Sequence, residues 1–246
     1  MRQGWRMRAW AAAFVLSLAP CAVVNAASLQ VSPTSVTLQA RQNADGLTLT
    51  NTGTAPLQAQ VRVFRWTQEG DEDKLEPTKD ITISPPMLKL APGAQQLVRV
   101  IRLGAPPADV ETSYRLIVDE LPVESGETKP GLQFVLQYSV PVFLMPQGDP
   151  AIAPQLHARL VRDGDRSLIE ISNTGKAHAQ VAELAYTSAD GNSHVIAAGL
   201  SGYVLPGKTK RWPLPAALTV SASGTFKARI NGEPVVQTLS LDQAAP

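Results

Sequence analysis

The chain has 246 residues, 44% hydrophobic, 5% aromatic and 17% charged, with 22 basic and 21 acidic side chains for a formal charge of +1. Such a balance gives no case for nucleic-acid binding by bulk charge. Twenty prolines and seventeen glycines indicate a chain rich in turns.

At the N-terminus, Arg2, Arg6 and Arg8 precede the apolar run Ala9 to Leu18 and the small-residue site Val24-Asn25-Ala26. This is the tripartite shape of a secretory signal peptide, so residues 1–26 are expected to be removed and the rest exported as a soluble protein. Leu18-Ala19-Pro20-Cys21 loosely matches a lipoprotein signal, but proline before the cysteine fits it poorly. Cys21 is the single cysteine and lies in the removed segment, so stability must come from packing rather than disulfides. Loss of the three arginines leaves 19 basic against 21 acidic side chains, a net of about −2.

The first alternating segments are Gly46 to Thr50, running into Asn51-Thr52-Gly53, and Gln60 to Trp66. Period-2 alternation of this kind predicts strands. Trp66 closes its strand and reads as a packing residue. The acidic run Glu69 to Asp73 lacks the ligand alternation of a calcium loop and reads as a solvated hairpin tip. Pro85 and Pro86 mark a bend at which either peptide bond could be cis. Leu90-Ala91-Pro92-Gly93 then leads into a strand at Gln96 to Leu103.

Leu132 to Leu144, LQFVLQYSVPVFL, predicts a long strand whose Leu132, Phe134, Leu136, Tyr138, Val140, Val142 and Leu144 share one face. Pro141 cannot donate to a ladder and favours an edge position. A long apolar edge must be covered or used, either inside a sandwich or by pairing with another chain, self-association included.

Beyond Pro146-Gln147-Gly148-Asp149-Pro150 the pattern recurs. Ser167 to Ser172 runs into Asn173-Thr174-Gly175, Gln180 to Thr187 follows, and Val204-Leu205-Pro206-Gly207 precedes Lys210 to Leu214. Two similar units in tandem follow, of 27–146 and 152–246, each an all-β, antiparallel sandwich of the immunoglobulin type. His157, His178 and His194 lack metal-ligand spacing, and the chain has no Gly-x-Ser-x-Gly, His-Glu-x-x-His or phosphate loop. An enzyme is not expected.

The blocks VRVFRWTQEG (61–70), SPPM (84–87), LAPGAQQLVRV (90–100) and ETSYRLIVDELP (111–122) stand in order before the long strand. In this the chain resembles the periplasmic pilus-assembly chaperones of the chaperone-usher pathway, and NTG, GYVLPG (202–207) and INGEPV (230–235) extend the likeness into the second unit. The resemblance implies an L-shaped pair of domains in the periplasm. It implies a chaperone that lends a strand to incomplete pilus subunits, with Leu132, Phe134, Leu136, Tyr138 and Val140 as the donor row, and passes them to an outer-membrane usher. No nucleotide or metal is implied.

Conventional members hold the subunit's terminal carboxylate with an arginine and a lysine, at positions matched here by Ser35 and Pro141. The blocks YRLIVDELP and YSVPVF instead resemble the archaic, spore-coat-U-type branch, and Arg115 is the first candidate for the anchor. Arg99 and Glu111 match a cleft-facing ion pair of the family, and Asn231 stands nearest to its third partner. The alternative to a chaperone is a structural or adhesive two-domain protein of the fibre itself, in which the long strand is internal. A carbohydrate-binding or hydrolytic exoprotein is a weaker third reading, for lack of an aromatic platform.

Overall fold

The computed structural model describes residues 29–122, 135–148, 152–216, 218, 220–221 and 224–241. All regular elements among them are strands. The first ten are Leu29–Ser32 (β1), Val36–Leu38 (β2), Ala44–Asn51 (β3), Leu57–Glu69 (β4), Glu72–Pro77 (β5), Ile81–Ser84 (β6), Met87–Leu90 (β7), Gln95–Arg102 (β8), Thr112–Leu121 (β9) and Gln137–Leu144 (β10). The remaining seven are Leu156–Asp163 (β11), Arg166–Asn173 (β12), Ala179–Thr187 (β13), Ser193–Val204 (β14), Thr209–Pro213 (β15), Thr225–Ile230 (β16) and Val236–Leu239 (β17).

In the first unit, sheet β1-β3-β8-β6 packs on sheet β2-β10-β9-β4-β5, with β7 also paired to β4. Alternate residues of facing strands fill the space between the sheets, among them Leu47, Leu49, Val61, Val98, Val100, Leu116, Val118 and Val142. The second unit has sheets β11-β12-β15 and β14-β13-β16-β17 around a separate core of Ile169, Ile171, Val181, Leu184, Tyr186 and Phe226. The architecture is thus two tandem sandwiches of immunoglobulin type.

The repeated Asn-Thr-Gly has one physical job in both units. The Asn51 amide Nδ2 donates to the carbonyls of Ala55 (2.8 Å) and Leu90 (3.0 Å), and its Oδ1 accepts from the Gly53 N–H (2.9 Å). Asn173 repeats this with Ala177 (2.8 Å), Val204 (3.0 Å) and Gly175 (3.0 Å). The Pro-Gly turn closes on the same residue, since Gly93 donates to the Asn51 carbonyl at 2.9 Å and Gly207 to that of Asn173 at 2.8 Å. Left-handed backbone at Gly93 and Gly207 permits that closure. A buried asparagine with its hydrogen bonds made therefore ties three chain segments together at one corner of each sandwich.

Candidate functional site: a half-open strand edge beside an interdomain cleft

β10 pairs with β9 along its whole length, from Gln137 opposite Asp119 to Leu144 opposite Thr112. On its other side the parallel partner β2 covers only Val142 to Leu144. Among the described residues, Gln137 to Pro141 therefore form a strand edge with one side unpaired. The Glu120 N–H donates to the Leu136 carbonyl, and hydrogen-bonded pairs alternate in an antiparallel ladder. Tyr138 and Val140 thus direct their main-chain groups to β9, whereas Gln137, Ser139 and Pro141 direct theirs outward. Proline falls where its missing N–H costs the ladder nothing.

Of the expected donor row, Leu132 and Phe134 lie outside the described residues. Leu136 is half-buried, just before β10. Tyr138 is half-buried against the first core, and its hydroxyl donates to the Leu29 carbonyl. Val140 is only 4% exposed and belongs to that core, so its side chain is held by its own domain and is not free to enter a partner. This narrows the row to residues before Val140. The opposite sheet covers its side chain, whereas pairing with β2 begins only at Val142.

Arg115 stands opposite Pro141 across the β9–β10 ladder. It lines a cleft of about 410 Å³ with Ser139 and Pro141 of β10, Asp73 of β5, Gln180 of β13, Gly202 and Tyr203 of β14, and Lys210 of β15. The guanidinium carbon lies 3.7 Å from the centre of the Trp66 ring and 5.1 Å from that of Tyr203. Two electron-rich ring faces hold the cation without using its hydrogen bonds. Burial lowers the Arg115 pKa from its ordinary value, the Tyr203 hydroxyl and Asp73 acting in the opposite direction. Among the described residues the guanidinium makes no ion pair or hydrogen bond, leaving its planar fork of donors available to an anion.

Glu111 is buried and reaches the second unit, but its partner is not Arg99. Its carboxylate accepts from His178 Nδ1 at 2.8 Å, and the His178 ring stacks on Phe143 with centroids 3.5 Å apart. Arg99 is exposed on β8, in the opposite sheet of the first sandwich, and its neighbours across the ladders are Gly46 and Ser84. Strand alternation turns it to solvent, so the expected Arg99–Glu111 pair does not form. Asn231 contributes at one remove, donating to the His178 carbonyl at 3.2 Å and accepting from the Gln180 N–H at 2.7 Å.

Two further contacts escaped the reading of the sequence. Gln68, only 3% exposed, donates through Nε2 to the Tyr203 carbonyl and to Asp73, both at 2.9 Å, and accepts from the Leu205 N–H at 3.0 Å. One amide thereby satisfies buried backbone groups at and just beyond the end of β14. The signal was present, because Gln68 occupies an inward position two residues after Trp66, where a polar side chain needs a partner. The acidic hairpin tip is also more than a solvated turn, since Asp71 accepts from the Arg211 N–H at 3.0 Å. Around these bonds Trp66, Phe143, Tyr203 and Leu205 form a buried cluster belonging to both units.

Comparison with known proteins agrees with this architecture. Residues 28–149 match the family model for pili and flagellar-assembly chaperones, PapD N-terminal domain. A chain of the CsuC-CsuE chaperone-tip adhesion subunit pre-assembly complex, from archaic chaperone-usher Csu pili of Acinetobacter baumannii, is 25% identical, with a TM-score of 0.70 over 87% of this chain and 98% of that one. In the Salmonella enterica complex of the SafA pilin with the SafB chaperone, the corresponding values are 20%, 0.61, 88% and 100%. The CupB2 chaperone of Pseudomonas aeruginosa gives 16%, 0.57, 85% and 97%. No curated protein matches the chain. With a matching first domain and two-domain neighbours along nearly its whole described length, the chain belongs to the pilus-assembly chaperones of the chaperone-usher pathway, a family of non-enzymatic assembly factors.

Proposed function

We propose that the chain is a periplasmic chaperone that holds one pilus subunit by lending it the edge of β10, and that passes the subunit to an outer-membrane usher. The observation that carries this reading is the half-open edge from Gln137 to Pro141, adjoining a cleft whose arginine makes no ion pair among the described residues. An incoming strand would pair with the outward main-chain groups of Gln137 and Ser139. Leu136 and Tyr138, continued by Leu132 and Phe134, would fill its exposed core.

The terminal carboxylate of that strand is the ligand suited to Arg115. A guanidinium pays for burial most fully when a planar anion takes two of its N–H bonds. Release needs no nucleotide, because exchange for a better-fitting strand of another subunit is downhill. Co-expression with candidate pilus subunits tests the reading. A one-to-one complex is expected, weakened by roughly 10- to 100-fold in Arg115→Ala, the range of one charge-assisted hydrogen bond. Wild-type chain that captures none of the subunits would overturn it.

A further inference from the structure

Edge strands that could pair with a foreign chain are normally kept short or charged, and the sheets of this molecule follow that rule with one exception. Edge strands β1, β2, β6 and β17 have three or four residues. The longer β5, β11 and β15 carry charges, among them Asp73 and Lys74, Arg159 and Arg162, and Lys210 and Arg211. β14 is the exception. It runs for 12 residues, Ser193 to Val204, with no lysine, arginine, aspartate or glutamate. Its ladder partner is β13 on one side, and among the described residues no strand pairs with the other.

Two side chains make this edge apolar where it meets solvent. Val195 and Leu200 are 62% and 60% exposed. Residues five apart in a regular strand point to opposite faces. Here shifts in register around Glu183, whose backbone is left-handed like that of Gly199, set Val195 opposite Ala185 and Leu200 opposite Ala182. Those alanines follow the core residues Leu184 and Val181 and turn away from the core. Val195 and Leu200 therefore share the outer face, in one apolar strip with the two alanines. Leu200 also lines the interdomain cleft, together with Ser139 and Pro141 of the β10 edge. The open part of β10 and the long uncharged edge of β14 thus converge on one cleft.

We propose that the strip from Leu200 to Val195 is a second docking surface for the pilus subunit, meeting the apolar outer surface of its sandwich while its own strand pairs with β10. The inference rests on the strand-lending reading above and extends the contact onto the second domain. Continuity selects this occupant. A strand paired with Gln137 and Ser139 that enters the cleft passes Leu200, so the body to which it belongs is held beside the strip. A second copy of the chain has no such tether. The partner surface must be aliphatic and uncharged, because a charge set against Val195 and Leu200 would lose its water without gaining a partner.

The test replaces Leu200, Val195 or Leu160 in turn by photoreactive benzoylphenylalanine, in the full chain co-expressed with candidate pilus subunits. Leu160 is 43% exposed on β11, in the other sheet of the same domain, and serves as the control. Crosslinks to the captured subunit are expected from positions 200 and 195 and not from 160. In equilibrium binding to that subunit, Leu200→Asp should weaken the complex about tenfold and Leu200→Met should match the wild type. Thermal unfolding should be unchanged in both, since position 200 lies outside the core. A captured subunit that crosslinks from neither 200 nor 195, or from all three positions alike, overturns the strip and leaves the β10 edge standing. So does wild-type affinity in Leu200→Asp. Crosslinks from 200 and 195 only to another copy of the chain would assign the strip to self-association and overturn its role toward the subunit. If the wild-type chain captures none of the subunits, both readings fail.

Discussion

Asn51 and Asn173 show how a single residue type organises this chain twice. Each amide joins a strand end, a tight turn and the start of another strand, through three hydrogen bonds at Asn51 and four at Asn173, whose Oδ1 also accepts from the Gln155 N–H. Alanine would leave two carbonyls and one N–H without partners at Asn51, and two carbonyls and two N–H groups at Asn173, a loss of about 2 to 4 kcal/mol. Urea unfolding of Asn51→Ala and Asn173→Ala should each show a loss in that range, with the destabilised transition belonging to the domain that carries the change. Glu170 offers a test by pH. Burial pushes its carboxyl up, but hydrogen bonds and charge from Arg159 and Arg211 outweigh that and hold it below the usual carboxylate value. The unfolded chain therefore binds the proton first, so the stabilisation is present above the ordinary value of 4.5 and is lost as the pH falls through the lower native one. Glu170→Gln should be less stable than wild type at pH 7, and the gap should narrow steadily as the pH falls below the ordinary carboxylate range. A gap that persists there would show that packing, not the ionised carboxylate, was lost.

At the level of elements, the alternation in the sequence located most strands to within a few residues, because period 2 is imposed by a sheet with one buried face. The predicted Gln96 to Leu103 corresponds to β8 and Gln180 to Thr187 to β13. What alternation could not reveal is which backbone edge stays open, since pairing is set by the neighbouring strand rather than by the strand's own side chains. Hence Val140 read as part of the donor row, although its side chain is buried in the core of its own sandwich. Ser139→Pro tests the edge directly. It removes an outward N–H while leaving the bonds to β9 in place, and edge positions tolerate proline. Subunit affinity should fall by about tenfold or more, as one hydrogen bond is lost and the ring obstructs the incoming strand. Ser139→Ala should bind normally. Equal binding by both variants would remove main-chain pairing from the account.

For the molecule as a whole, the sequence showed two units through their repeated Asn-x-Gly and Pro-Gly turns, but the contacts between them were largely illegible. Gln68 meets Leu205 across 137 positions of sequence and Arg211 meets Asp71 across 140, and no local pattern encodes such distances. Glu111 was recognisable as a cleft residue from its motif, whereas its partner His178 followed only from the way the linker and β13 bring the second sandwich against Phe143. Gln68→Ala should leave each sandwich folded while loosening one against the other, because the Tyr203 carbonyl and Leu205 N–H lose their partner. Small-angle scattering should then show a broader range of interdomain geometries than in the wild type. An unchanged profile would place the coupling in the Glu111–His178 contact and the aromatic cluster instead.

The central claim is that a subunit strand completes the sheet along the open half of β10. The most direct measurement is residue-resolved amide hydrogen exchange of the chain, alone and in complex with a pilus subunit that co-purifies with it. Gln137 and Ser139, whose amides face outward, should exchange rapidly in the free chain and become strongly protected in the complex. Tyr138 and Val140, already bonded to β9, should change less. A stable complex in which the Gln137 and Ser139 amides exchange as fast as before would contradict donation of the β10 edge.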